Sequence, residues 1–200
     1  MQSSNKLVII KYNAGNIQSV LYALERLGHQ AQVTDDHDEI KKADKVIFPG
    51  VGEASSAMKY LKERELDRLI GKLKQPVLGI CLGMQLMCRH SDENNTDCLG
   101  IFDTDVKRFQ FANGHPKVPQ IGWNQISALK GPLFNGIQEN SFCYFVHSFY
   151  ASTCNQTVAR TDYGIEFSSG LSQDNFFGVQ FHTEKSADAG QRILQNFLKI

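Results

Sequence analysis

The chain has 200 residues, 42% of them hydrophobic and 21% charged, which suits one globular domain spanning 1–200. Its 21 Lys and Arg balance 21 Asp and Glu, so net charge offers no argument for nucleic acid or an anionic membrane surface. No stretch approaches the roughly 18 apolar residues of a membrane helix, the opening 1–6 lacks an apolar signal core, and five cysteines with no C-x-x-C pair argue against a disulfide framework or a metal site. A cytoplasmic protein with reduced thiols and no metal or cofactor is the expectation.

In chain order, Leu7-Val8-Ile9-Ile10 reads as a strand buried on both faces. Asn16 is a plausible N-cap. Ile17, Val20, Leu21, Leu24 and Leu27 then recur at helical spacing, and Gly28 sits where a C-cap glycine belongs. Residues 31–34 and 46–48 read as further strands, the latter ended by Pro49-Gly50-Val51-Gly52. Residues 54–73 read as one helix carrying Met58, Leu61, Leu66, Leu69, Ile70 and Leu73, and 76–80 as a strand running into a helix. Strands alternating with helices imply right-handed βαβ units and a mostly parallel sheet. The second half differs. After a polar loop at 91–99 come strand-like pieces at 105–109, 142–150, 157–160 and 176–181, and a closing helix at 187–200. The expected architecture is α/β: a mostly parallel, flavodoxin-like central sheet flanked by helices, with an antiparallel β extension.

Chemistry concentrates at Gly79-Ile80-Cys81-Leu82-Gly83. A cysteine between a strand and a helix, with glycine two places either side, matches a nucleophile elbow. The turn strains the nucleophile's backbone, and flanking side chains would collide with neighbouring chain. The same residues also suit an inert thiol in a core strand. A free thiol has a pKa of roughly 8.5 and only the thiolate attacks well, so a base with an orienting group is needed. Of six histidines, His29 and His37 lie in solvated surroundings. His90 ends the elbow helix, His115 sits in a Gly-His-Pro turn, and His147 lies inside an apolar strand as a core histidine. His182 ends a strand, and Glu184, two residues on, would face the same way in an extended chain. That is the logic of a nucleophile, base and orienter, although His-Thr-Glu is also an ordinary strand end. Acyl transfer further needs N–H donors for an oxyanion. Parallel strands ending at Phe48 and Ile80 would bring Gly50, Val51 and Gly52 beside Cys81, with the Leu82 N–H as second donor.

Together these residues resemble the triad, or class I, glutamine amidotransferases. The signature is Gly79-Ile80-Cys81-Leu82-Gly83-Met84-Gln85 with the later His182-x-Glu184. Within the class, the chain is similar to the glutaminase subunits of imidazole glycerol phosphate synthase. The discriminating pieces are Tyr12-Asn13-Ala14-Gly15-Asn16, Phe48-Pro49-Gly50-Val51-Gly52, Pro119-Gln120-Ile121-Gly122-Trp123-Asn124, Tyr144-Phe145-Val146-His147-Ser148-Phe149-Tyr150 and Phe181-His182-Thr183-Glu184-Lys185-Ser186.

The resemblance implies that Cys81 attacks the side-chain amide of glutamine, that His182 moves the proton and that Glu184 orients it. Gln85 and the backbone near Gly52, Ser148 and Phe149 would hold the amino-acid end of the substrate. Ammonia would pass to a (β/α)8-barrel cyclase subunit of histidine biosynthesis, which makes imidazole glycerol phosphate and an aminoimidazole carboxamide ribotide. Trp123 and Lys185 would lie near the subunit contact. Three positions depart from the family pattern: Lys11 where an acid is usual, Thr183 where proline is frequent, and Phe149 where tyrosine is frequent. Lys11 bears on a salt bridge expected near the contact. The alternatives are a paralogue feeding ammonia to another synthase, such as an amino-sugar enzyme, a thiol hydrolase or peptidase on a related elbow, and a catalytically silent binding module.

Overall fold

A computed structural model of the chain describes residues 6–13, 15–112 and 114–200. The expectation about an absent signal core concerns mostly residues 1–5, and Ala14 belongs to the Tyr12–Asn16 motif; these positions lie outside the described residues.

The first half builds the parallel sheet as the sequence implies. β1 (Leu7–Ile10), α1 (Ile17–Arg26), β2 (Ala31–Thr34), α2 (His37–Lys41), β3 (Lys45–Phe48), α3 (Ala54–Glu63), α4 (Leu66–Ile70), β4 (Val77–Ile80) and α5 (Leu82–Leu86) follow one another. β1 pairs in parallel with β2 and β3, and β3 with β4. Every residue of β1, β3 and β4 is buried, because helices cover both faces of this sheet. Val8 and Ile10 enter the core layer containing Met58, Leu61 and Leu66, while Leu7 and Ile9 enter the layer containing Leu24, Ile193 and Phe197.

The expected single helix over 54–73 is instead two. The chain breaks after Glu63, and Glu65 takes φ 55° before α4 begins. Leu61 and Leu66 are both fully buried. Five positions apart, they would point roughly 140° apart on a continuous helix of about 100° per residue; the break lets both face the sheet. The short α2 lies in a stretch not read as helical, and the Asp36 carboxylate caps it through the N–H groups of Asp38 and Glu39.

The second half contributes β5 (His90–Ser91), β6 (Thr96–Asp97), β7 (Asp105–Arg108), β8 (Gln120–Ile126), β9 (Ser141–His147), β10 (Phe149–Ala151), β11 (Thr157–Asp162), β12 (Glu166–Gln173), β13 (Phe176–Val179) and α6 (Ala187–Lys199). His90 therefore begins a strand rather than ending the elbow helix. β13 returns to the parallel sheet beside β4, and β12, β10 and β7 extend it antiparallel. The expected strand at 142–150 is divided at Ser148: β9 pairs with β8 in a separate two-stranded sheet, while β10 joins the main one. No helix among the described residues is long and apolar enough to cross a membrane, and all five cysteines are free thiols.

Candidate active site

The edge formed by the C-terminal ends of β3, β4 and β13 positions the site. Phe48 pairs with Gly79, and Val179 with Ile80. One residue beyond Ile80, the Cys81 N–H donates to the Val179 carbonyl at 2.8 Å. Cys81 has φ 54° and ψ −110°, a conformation costing of order 1–3 kcal/mol that the surrounding packing must impose. The flanking glycines make this turn possible. A Cβ on Gly83 would lie 1.7 Å from the Phe48 carbonyl oxygen, and one on Gly79 would lie 2.3 Å from Met87 Cε and 2.8 Å from the Met84 nitrogen. Elbow, helix and β3 therefore touch backbone to backbone.

His182 follows β13 and meets Glu184 through Nδ1 and Oε1 at 2.8 Å. The pairing expected from an extended chain is made differently: Thr183–Lys185 forms a 3₁₀ turn, which folds Glu184 back onto the ring. A carboxylate can only accept, so Nδ1 carries the proton and Nε2 is left for chemistry. Nε2 is buried, on the side of Cys81. Burial lowers the proton affinity of His182, but the hydrogen-bonding groups and negative charge of Cys81 and Glu184 more than offset this and raise its pKa to about 10.

Cys81 opens into a cavity of about 270 Å³ shared with Val51, Gly52, Leu82, Gln85, Ser148 and Phe149. These expected site residues are thus brought together, whereas Gly50 lies buried behind the wall. The Gln85 amide donates to the Phe149 carbonyl at 2.8 Å and to Gln180 Oε1 at 2.9 Å. Gln180 in turn places Nε2 3.6 Å from the Cys81 sulfur. Gln180 belongs to no motif read from the sequence, although its place two residues before His182 is a usable signal. Glu93 lies in the stretch 91–99, whose polar composition reads as a surface loop. Glu93 lines the cavity and accepts from the Ala54 N–H at the start of α3 at 2.7 Å. Burial raises its pKa, the Ala54 N–H lowers it and neighbouring Glu53 raises it.

His147 is buried as expected, against Phe109, Phe145 and Phe167, but it also lines the cavity. Its Nδ1 bonds to the Phe149 carbonyl at 2.7 Å. Burial pushes its pKa down to about 4, the carbonyl opposes this, and His182 adds to the fall. It is neutral at neutral pH. Burial also holds the Cys88, Cys98 and Cys143 thiols protonated, the latter two with pKa values of about 12.

The loop after β3 adopts a definite state. The Leu82 N–H donates to the Gly50 carbonyl at 3.2 Å. Gly50 C=O and Val51 N–H belong to one peptide group, and in a trans peptide they point opposite ways. The Val51 N–H therefore points away from the elbow. The Val51 carbonyl accepts from the Gly15 N–H at 3.3 Å, and Gly52 has φ 131°, which suits a peptide able to turn over.

The outer face of the β8–β9 hairpin runs beside the cavity mouth. Ile121, Trp123 and Phe142 on it are each more than half exposed. Trp123 meets Tyr144 edge-on, with ring centroids 5.9 Å apart, and Lys185 Nζ lies 5.9 Å from the Tyr144 ring. Lys11 is exposed at the end of β1.

Residues 8–200 match the family model described as glutamine amidotransferase class-I. The imidazole glycerol phosphate synthase subunit HisH of Bacteroides fragilis (strain YCH46) is 60% identical over 98% of this chain and 100% of that protein. The HisH subunit of Shewanella loihica is 46% identical over 99% of this chain and 92% of that protein. A solved structure of a glutamine amidotransferase shares the fold, with a TM-score of 0.74 at 18% identity over 96% of this chain and 97% of that one. The chain belongs to the class-I glutamine amidotransferases, in the family of HisH subunits of imidazole glycerol phosphate synthase.

Proposed function

We propose that the chain, acting as one unit over 1–200, hydrolyses glutamine to glutamate and ammonia. The ammonia goes to a (β/α)8-barrel cyclase subunit that makes imidazole glycerol phosphate and aminoimidazole carboxamide ribotide in histidine biosynthesis. The observation that carries the reading is a cysteine in strained backbone opening into an amino-acid-sized cavity, with the His182–Glu184 pair beside its sulfur. Its thiolate attacks the amide carbon of glutamine. The imidazolium of His182 gives its proton to the departing nitrogen, which leaves as ammonia, and a γ-glutamyl thioester remains. Water then loses a proton to His182 Nε2 as it attacks the thioester, the C–S bond breaks, and glutamic acid leaves and sheds its own proton to solvent, with the Cys81 thiolate and the His182 imidazolium restored. Glu184 holds the ring throughout. Glu93, a carboxylate in the cavity wall, suits the α-ammonium of the substrate, while Gln85, Gly52, Ser148 and Phe149 frame the amino-acid end.

Catalysis requires the Gly50–Val51 peptide to turn over. That movement frees the Leu82 N–H and aims the Val51 N–H at the same point, giving two oxyanion donors, each typically worth about 10²–10³ in rate. Nucleotide bound in the partner drives this step by favouring the turned form. The partner covers the outer face of the β8–β9 hairpin, where Trp123 and Lys185 lie, and Lys11 stands at the rim of that contact. The cytoplasm, where thiols stay reduced, is the setting this requires.

The test is to mix the chain with the cyclase subunit, isolate the complex, and measure glutamate release by the chain, by the complex and by the complex with nucleotide ligand. Low, intermediate and high rates are expected, with cyclisation driven by glutamine. Equal rates would refute the turning peptide, and absence of a complex would refute the choice of partner.

A further inference from the structure

We propose that Asn16 is a positioning residue for the triad: its side-chain amide holds the Glu184 carboxylate on His182. The inference rests on the roles of Cys81, His182 and Glu184 given above. Asn16 stands at the start of α1 with φ 72°, in the left-handed region, yet its side chain makes no capping bond to the helix it begins. Its Nδ2 donates instead to Glu184 Oε1, the oxygen that also accepts from His182 Nδ1 at 2.8 Å. The partner is a carboxylate, which has no hydrogen to offer, so the amide must present its NH₂. The loop carrying Asn16 is itself anchored: the Tyr12 hydroxyl donates to the Pro49 carbonyl at 2.6 Å, and the Gly15 N–H to the Val51 carbonyl at 3.3 Å.

The Glu184 side chain is wholly shielded from solvent, and its Oε2 is buried with no partner among the described residues. Both donors thus hold Oε1. Without Asn16, the carboxylate is held by the single bond to His182 and can swing about it. A carboxylate drawn away from Nδ1 leaves the imidazole free to change tautomer and rotate. The ionisable groups around Glu184 are His182 on its own segment, Arg26 from α1 and Asp188 from α6, with Cys81 beyond His182.

Asn16→Asp is the most direct variant. It keeps the side-chain shape and tolerates the left-handed backbone, but replaces the donor with a second carboxylate. Glutaminase activity is measured on the complex with cyclase and nucleotide ligand. Asn16→Asp should lower kcat by about tenfold or more, equal to ~1.4 kcal/mol, and leave KM within about twofold because Asn16 does not line the substrate cavity. The acid limb of the kcat/KM profile should move to higher pH, since two facing carboxylates would share a proton. Asn16→Ala should lower kcat without moving that limb. Combining Asn16→Asp with Glu184→Gln should be no worse than Glu184→Gln alone, as expected of residues acting in series. Wild-type kcat and pH profile in Asn16→Asp, or additive losses in the double variant, would overturn the proposal while a crippled Glu184→Gln leaves the triad standing. A fully active Glu184→Gln would instead remove the triad reading, and this inference with it.

Discussion

Gly83→Ala isolates the backbone contact on which the elbow depends. The added Cβ would lie 1.7 Å from the Phe48 carbonyl oxygen and 2.8 Å from its carbonyl carbon. Cβ atoms essentially never approach within 3.0 Å, so the gap must open by 3.0 − 1.7, or about 1.3 Å. Phe48 is fully buried and paired to Gly79, and its strand β3 is held between β1 and β4, so α5 is the element that yields, carrying Cys81 and Leu82 with it. Displacement of reacting groups by about 1 Å can cost about 10² in rate, and overpacking typically costs about 1–3 kcal/mol of stability. At roughly 2–4 °C per kcal/mol for a chain of this size, Tm should fall by about 2–12 °C. Glutamate release at saturating glutamine in the activated complex should drop about 100-fold, while cyclisation driven by added ammonium salt persists. Gly71→Ala is the control. Gly71 has φ −63°, and its nearest neighbour to an added Cβ is 3.9 Å away, so stability should hold or rise by about 0.4–1 kcal/mol. Near-wild-type turnover and Tm in Gly83→Ala would refute the close-contact argument.

Cys81→Ala should abolish glutamine hydrolysis, keep the fold, and still support synthesis from ammonium salts with the partner; labelling of another cysteine by a glutamine analogue would contradict it. His182→Asn should lose several orders of magnitude in turnover because triad members act as a unit, whereas His147→Asn should mainly lower stability or substrate binding, and steady-state kinetics showing the reverse order would move the base role to His147. The two histidines also predict opposite pH effects on stability. His147 falls to about 4 in the folded state from about 6.5 unfolded, so its contribution is complete above about 6.5 and is lost as pH falls toward 4. His182 rises to about 10, so its contribution is complete below about 6.5 and is lost as pH rises through 10. Melting temperatures across this range should decline on both sides, with the acid slope shallower in His147→Asn; an unchanged acid slope in that variant would refute the assignment.

The parallel half of the fold was legible because burial on both faces leaves a simple mark. β1 and β3 are short runs dominated by Leu, Val, Ile and Phe, and α1 between β1 and β2 shows its apolar stripe. The antiparallel half hid its strands for the converse reason. β8 turns Gln120 inward and Ile121 and Trp123 outward, inverting the usual alternation. β12 buries Ser168, Ser169 and Gly170, small residues that do not read as core. Ser148 divides one apolar run between two sheets, which no periodicity could show.

Residues 79–83 by themselves determined that a thiol would stand at a strand-to-helix turn, because the required glycines are local to it. His182 and Glu184 were legible as a pair for the same reason: their contact spans two positions. Only the tertiary structure decided that Asn16 reaches Glu184 across 168 positions, and that Gln180 and Glu93 adjoin the thiol's cavity. Those outcomes depend on side chains brought together by packing between segments distant in the chain, and local patterning carries no record of them.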